Sequence, residues 1–170
     1  MREAACVCNL GRGLKRDRAA KLLSGEGGRV AKSREKRFGQ CHCGTVRFEV
    51  ELSDGFNTIR RCTCSLCRMR GAVAVSAALN GIRFVKGEEA LTSYRFNTGA
   101  AQHFFCAHCG IYTHHQRRSN PAEFGVNVAC LEGVSPFDFA EVPVLDGVQH
   151  PSDAGGVARQ AGMLRFTPSE

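Results

Sequence analysis

Seven of the ten cysteines in this chain fall into three tight clusters that are separated by long stretches without cysteine. The clusters are Cys41-His42-Cys43, Cys62-Thr63-Cys64-Ser65-Leu66-Cys67 and Cys106-Ala107-His108-Cys109. Structural zinc takes four ligands in a tetrahedron, and thiolates usually reach it as two short pairs brought together by the fold. The spacing therefore predicts metal binding rather than a network of disulfides.

The three clusters divide unequally between two metal sites. Pairing the first cluster with the third gives a four-sulfur set of Cys41, Cys43, Cys106 and Cys109. The middle cluster then keeps three sulfurs, those of Cys62, Cys64 and Cys67. Three protein ligands plus one open position are typical of a zinc that binds or activates a small molecule. We therefore expect two zinc ions per chain, one structural and one open.

The remaining cysteines and the histidines carry less specific signals. Cys130 lies in an apolar segment and is interpreted as a buried core thiol. Cys6 and Cys8 repeat the Cys-x-Cys pattern, but nothing around them would hold them in place, so they are interpreted as non-ligands. His42 and His108 lie inside the ligand turns and are expected to face away from a metal. His114 and His115 alternate faces along a strand, so one of the pair could face a site, but ordinary core or surface histidines are the favoured interpretation.

A redox function for Cys106 and Cys109 is the main alternative for the third cluster. That motif normally opens a helix, whereas the residues that follow, Gly110-Ile111-Tyr112-Thr113, are typical of a strand. Iron–sulfur ligation would need a different grouping of cysteines. Zinc binding therefore remains the favoured interpretation.

The net charge of +7 does not indicate a nucleic-acid partner. Residues 1–38 hold 11 Lys or Arg and 4 Asp or Glu, whereas the rest of the chain is balanced at 12 of each. A balanced domain lacks the basic surface that phosphate backbones require. Cysteine-rich composition without a secretory signal favours a cytoplasmic protein, and no apolar stretch is long enough for a membrane span.

Residues 1–37 form a separate basic block that is poor in aromatic side chains. Such a segment buries too little apolar surface to offset its ordering entropy, so we expect it to be a disordered leader with at most a short helix over 14–23. Three origins remain open: an extension from a start codon assigned too far upstream, a genuine disordered tail, or an organelle transit peptide.

From Gly39 onward the pattern predicts an all-β domain of short strands over residues 38–146. Segment 45–52 alternates apolar Val46, Phe48, Val50 and Leu52 with polar residues, as a strand with one buried face does. Further strands are predicted at 72–79, 82–85, 93–96, 102–105, 111–116 and 124–131. Residues 147–170, rich in Gly, Pro and Ser, are expected to form a loose tail.

The ordered motifs resemble a known family. They are Gly39-Gln40-Cys41-His42-Cys43-Gly44, then Cys62-Thr63-Cys64-Ser65-Leu66-Cys67-Arg68, then Phe105-Cys106-Ala107-His108-Cys109-Gly110. Together they are similar to the glutathione-dependent formaldehyde-activating enzymes, a family that also includes centromere protein V. The resemblance implies a zinc-containing β fold of the Mss4-like type. It also implies a structural zinc on Cys41, Cys43, Cys106 and Cys109, and an active zinc on Cys62, Cys64 and Cys67.

Two functions follow from this resemblance. The first is a carbon–sulfur lyase acting on adducts of glutathione, or a similar thiol, with a small aldehyde such as formaldehyde. Arg60, Arg61, Arg68 and Arg70, near the second cluster, are then candidates for holding the carboxylates of glutathione. The second is a non-catalytic zinc β-domain that binds a protein or nucleic-acid partner, and the balanced charge of the domain argues against nucleic acid.

Overall fold

The computed structural model describes residues 36–169, and strands dominate this part of the chain. They are β1 (Lys36–Gln40), β2 (Arg47–Leu52), β3 (Arg61–Cys62), β4 (Ala74–Lys86), β5 (Leu91–Tyr94), β6 (Gln102–Cys106), β7 (Tyr112–Gln116), β8 (Glu123–Asn127), β9 (Glu141–Leu145) and β10 (Gln160–Arg165). One short α-helix, α1 (Ser65–Arg70), follows β3. The predicted all-β class is confirmed. Cys6, Cys8 and the possible helix at 14–23 lie outside the described residues.

The described strands form two sheets. The larger is antiparallel throughout, with seven strands in the order β1-β2-β4-β8-β7-β6-β5. The smaller has three strands in the order β10-β9-β3, of which β3 and β9 run parallel. The backbone of Arg60 pairs with that of Ala74, which joins the start of the small sheet to β4.

The core lies against one face of the large sheet. The alternation predicted for β2 is confirmed, because Val46, Phe48, Val50 and Leu52 are all at most 4% exposed. Val75 and Val126, neighbours across β4 and β8, are completely buried in the same cluster. Cys130 packs there as well, as predicted for a core thiol.

The large sheet is strongly curved, and this curvature creates the first cysteine group. β2 and β7 are three strand spacings apart, which is about 14 Å in a flat sheet. Yet the Sγ atom of Cys43, in the turn before β2, lies 3.7 Å from that of Cys106, the last residue of β6 before the turn into β7. The sheet must therefore curl until its two hairpin turns meet.

Several predicted boundaries differ from the structure. The strands predicted at 72–79 and 82–85 are one strand, β4, because the chain continues through Asn80 and Gly81 with a shift of its register against β2. A Cβ on Gly81 would lie 3.0 Å from the carbonyl oxygens of Ala78 and Glu51, so glycine is favoured at the point where the register shifts. The strand predicted at 124–131 ends at Asn127, whose side chain caps a 3-10 turn over Val128–Cys130.

Strands also lie beyond both predicted limits of the domain, residues 38 and 146. β1 begins at Lys36, so the last two residues assigned to the leader pair with β2. β10 lies in the segment expected to be a loose tail, where it pairs with β9. All six residues of β10 are exposed, which explains why the sequence carries no burial pattern there. No helix in the described range is long and apolar enough to cross a membrane.

His114 predicts a specific dependence of stability on pH. Its ring is 3% exposed and stacks on Phe104, and burial lowers its pKa to about 4. The unfolded chain has the ordinary pKa of about 6.5, so it binds the proton more readily than the fold does. This histidine therefore costs no stability above pH 6.5, and stability is lost as the pH falls from there toward 4.

We expect His114→Phe to reduce the difference in melting temperature between pH 7.5 and pH 5. The comparison of the two proteins removes the contributions they share, including those of the other histidines. The lost hydrogen bond between His114 Nδ1 and Thr113 Oγ1 lowers stability equally at both pH values. An unchanged pH difference in thermal melts would show that His114 does not carry this dependence.

Candidate metal centres and cavity

The first cysteine group lies where the β1–β2 turn meets the β6–β7 turn. The ligand atoms of Cys41, Cys43, Cys106 and Cys109 all lie within 4.8 Å of one another. Gly44 and Gly110, the residues that follow each pair, both have φ of +71°, so glycine is favoured at each turn. The Val46 backbone N–H donates to Cys41 Sγ at 3.3 Å. The four sulfurs predicted to share a site are brought together and could hold a metal ion.

Burial and hydrogen bonding separate the pKa values within this group. Desolvation raises the pKa of Cys41, which is completely buried, to about 11. Contacts with the Thr45 hydroxyl and backbone lower the pKa of the exposed Cys43 to about 6. Thr45 Oγ1 also lies 3.4 Å from His108 Nδ1, which connects the two turns outside the sulfurs. His42 and His108 are exposed, as predicted for residues that face away from a metal.

The second group is built around the start of α1. Cys62 ends β3, Cys64 is the N-cap of α1 and Cys67 lies in its first turn, and their sulfurs all lie within 4.8 Å of one another. The Cys67 N–H donates to Cys64 Sγ, and the Cys64 N–H donates to Cys62 Sγ, both at 3.4 Å. Gly71, in the left-handed conformation, ends the helix after only six residues. This group could hold a second metal ion through three sulfurs.

Charge is unevenly shared among the three sulfurs. Hydrogen bonds from Cys62 and Cys67 lower the pKa of the Cys64 thiol, whereas contact with Cys62 and Cys64 raises the pKa of Cys67. Arg70 Nη2 donates to Cys67 Sγ at 3.3 Å. Three adjacent thiols, with N–H donors directed at each sulfur, are the donor set that suits a thiophilic divalent cation.

Gly147 allows a second chain segment to pack directly on this group. A Cβ at this position would lie 2.3 Å from Cys62 Sγ and 2.8 Å from Cys64 Cβ. The Gly147 N–H donates to Thr63 Oγ1 at 2.9 Å, and the Thr63 N–H donates to the Leu145 carbonyl at 3.1 Å. The residue placed first in the loose tail is therefore part of the wall of the second metal centre.

A cavity of about 340 Å³ opens beside the second group. All three sulfur residues, Cys62, Cys64 and Cys67, line it. Its charged wall contains five arginines, namely Arg60, Arg61, Arg70, Arg117 and Arg118, and two carboxylates, Asp146 and Asp153. Three of the four arginines suggested by the sequence thus line the cavity. Arg68 does not: it lies exposed on α1.

The arginines differ in how well they are paired. Arg117 is paired with Glu123, and Arg118 with Asp153. Arg60 donates from Nη1 to Ser76 Oγ and the Thr58 carbonyl, while its Nη2 is buried without a partner. Burial and the nearby charge of Arg117 lower the pKa of Arg60 to about 10. Arg61 has no ion pair with any of the described residues. The cavity therefore offers positive charge to an anionic ligand.

Aromatic and histidine side chains also line the cavity. The Arg70 guanidinium lies 3.5 Å above the Tyr112 ring, and the Tyr112 hydroxyl contacts His115 Nδ1 and donates to the Gly125 carbonyl. His103 stacks on His115, opposite it in the β6–β7 register. His115 lines the cavity and His114 packs in the core, so the two alternate as predicted, and the interpretation of both as ordinary core or surface histidines was wrong for His115.

Sequence reasoning missed several residues of this wall. They are His103, Tyr112, Arg117, Arg118 and Gly147. A signal was available for His103: if the third cluster is a hairpin turn, strand pairing places the residue three before Cys106 opposite His115. No comparable signal existed for Gly147, which reaches Cys62 through the small sheet.

Comparison with known proteins identifies the family of this chain. The model of a family described as glutathione-dependent formaldehyde-activating enzyme matches residues 36–141, which is more than half of the chain. The chain therefore belongs to this family. It is also similar to the crystal structure of a Rhodobacter sphaeroides protein, with 61% sequence identity and a TM-score of 0.62. That alignment covers 65% of this chain and 99% of the other.

Gly147→Ala is expected to disrupt the second group and leave the first intact, because its Cβ would overlap Cys62 Sγ. Metal analysis of the purified variant should show up to one ion fewer per chain than in the unchanged protein. Gly162→Ala is the matched control, since Gly162 lies in β10 with nothing within 4 Å of its Cβ position. Equal metal content in the two variants would contradict this account of Gly147.

Proposed function

We propose that this protein is a zinc-dependent carbon–sulfur lyase acting on adducts of glutathione, or a similar thiol, with a small aldehyde such as formaldehyde. The observation that carries the proposal is the position of the three-sulfur group in the wall of an arginine-lined cavity. In the reaction, the thiolate sulfur bonds to the carbonyl carbon and the carbonyl π pair moves to oxygen. The oxygen then takes the proton that the thiol lost, and adduct cleavage is the reverse.

We assign the two groups different roles. Cys41, Cys43, Cys106 and Cys109 hold a structural zinc, since two of these residues are completely buried and four sulfurs complete a tetrahedron. Cys62, Cys64 and Cys67 hold a second zinc, and three ligands leave one position for the substrate. An ion bound there stabilises the ionised form of an added thiol at neutral pH.

The arginines supply the recognition of the substrate. Glutathione carries two carboxylates, and a guanidinium pairs with a carboxylate through two parallel hydrogen bonds. Arg61 is the best placed, because it lines the cavity without an ion pair among the described residues. Arg70 has a different role. It donates to Cys67 Sγ and packs on the Tyr112 ring, so it holds these two cavity side chains in position relative to each other.

The arginine assignment predicts that Arg61→Gln weakens the binding of glutathione to zinc-loaded protein. We expect about a tenfold higher Kd, which corresponds to about 1.4 kcal/mol. Isothermal titration calorimetry measures it, with Arg68→Gln as the matched control because Arg68 lies on α1 outside the cavity. Equal effects of the two substitutions would mean that only general charge, and not this cavity, attracts the thiol.

The two roles of the cysteines predict two different failures. Cys106→Ser should lose the structural ion and lower the melting temperature by about 10 °C, since a structural zinc contributes directly to folding. Cys64→Ser should lose only the second ion and keep the fold, since serine still caps α1. Cys130→Ser, outside both groups, should keep both ions. Similar melting temperatures for the Cys106 and Cys64 variants would refute the division.

The activity itself is tested by adding formaldehyde and glutathione to the zinc-loaded protein. Exchange spectroscopy should show that the protein accelerates interconversion of free thiol and adduct, and that Cys64→Ser does not. Two bound zinc ions without acceleration would instead favour the alternative of a non-catalytic zinc β-domain that binds a protein partner.

A further inference from the structure

The hydrogen bond between Arg70 and His103 determines which ring nitrogen of His103 carries the proton. Arg70 Nη1 lies 3.1 Å from His103 Nδ1. A guanidinium can only donate, so Nδ1 must accept, and the proton of the neutral ring is on Nε2. The same guanidinium donates through Nη2 to Cys67 Sγ. His103 is thus separated from a sulfur of the second group by a single side chain.

The Nε2–H of His103 has no partner within the described residues. The residue is 5% exposed, and Nε2 is buried without a hydrogen bond. Its ring is held between those of Phe96 and His115, at centroid distances of 5.7 and 5.1 Å. A buried donor left unpaired is unfavourable, because it has lost its hydrogen bonds to water without gaining another partner. His103 lines the cavity, so a ligand in the cavity could supply the missing acceptor.

The surroundings also keep His103 neutral. Burial and the charge of Arg70 lower its pKa to about 4. At neutral pH the ring is therefore an uncharged donor of fixed orientation. Such a donor stabilises negative charge on oxygen and cannot act as a metal ligand through Nδ1, which is already occupied.

We propose that His103 is a catalytic residue that donates its Nε2–H hydrogen bond to the aldehyde-derived oxygen of the substrate. When the sulfur adds to the carbonyl carbon, this donor stabilises the negative charge that the π pair brings to oxygen. The proton released by the thiol returns to that oxygen through solvent, and in cleavage it leaves by the same route. The inference rests on the proposed lyase function.

The test compares His103→Phe with His103→Gln in zinc-loaded protein. Phenylalanine keeps the stacked ring without a donor, whereas glutamine retains an N–H near the Nε2 position. We expect His103→Phe to lower kcat for the glutathione–formaldehyde adduct about 100-fold, with the Kd for glutathione changed less than threefold. The kcat of His103→Gln should be at least tenfold higher than that of His103→Phe.

A second readout does not depend on turnover. Nitrogen-15 spectra of histidine-labelled protein should show His103 protonated at Nε2 alone, and this signal should shift with glutathione plus formaldehyde but not with glutathione alone. A proton on Nδ1, no shift, or a kcat for His103→Phe within threefold of the unchanged protein would overturn the proposal. If the unchanged protein accelerates no adduct exchange, the lyase function fails, and the spectra alone then decide the role of His103.

Discussion

The crowding of sulfur atoms is the constraint on which the rest of this structure depends. Seven thiols lie in two groups whose members are within 4.8 Å of one another, and neighbouring thiolates repel. This crowding separates the pKa values of the thiols: hydrogen bonds within the second group lower the pKa of Cys64 and raise that of Cys67. Binding a divalent cation would allow all members of a group to ionise, so metal binding, proton release and folding are coupled here.

The β6–β7 hairpin links the two groups. Cys106 ends β6 and Cys109 lies in the turn, while the two strands carry His103, Tyr112 and His115, which line the cavity beside the second group. Pairing of His103 with His115 fixes the distance of both from the turn. The first group therefore lies at the end of the same hairpin whose strands supply part of the cavity wall.

The sequence was sufficient for the parts of the molecule that depend on short-range patterns. Cysteine spacing predicted both groups, and alternation predicted the buried face of β2. Prediction from the sequence failed where contacts between distant segments form a strand that the local residue pattern does not indicate. β9 contains Pro143, which disfavours a strand assignment, yet β9 is the central strand of the small sheet. β10 exposes every side chain, so its pairing with β9 depends on backbone hydrogen bonds that no periodicity reports.

Contacts in the cavity wall also decide which nearby histidine could join the three sulfurs of the second group. His103 is linked to Cys67 through Arg70, which contacts both residues. Its Nδ1 accepts a hydrogen bond from Arg70, and its Nε2 carries the proton. Neither nitrogen then has a lone pair free for a metal. His115 differs: the Tyr112 hydroxyl already donates to the Gly125 carbonyl, so it accepts from the Nδ1–H of His115, and Nε2 of the neutral ring keeps its lone pair. The arginine that contacts Cys67 thus also removes His103 as a potential fourth ligand, and the proposed function requires that position for a thiol from solution.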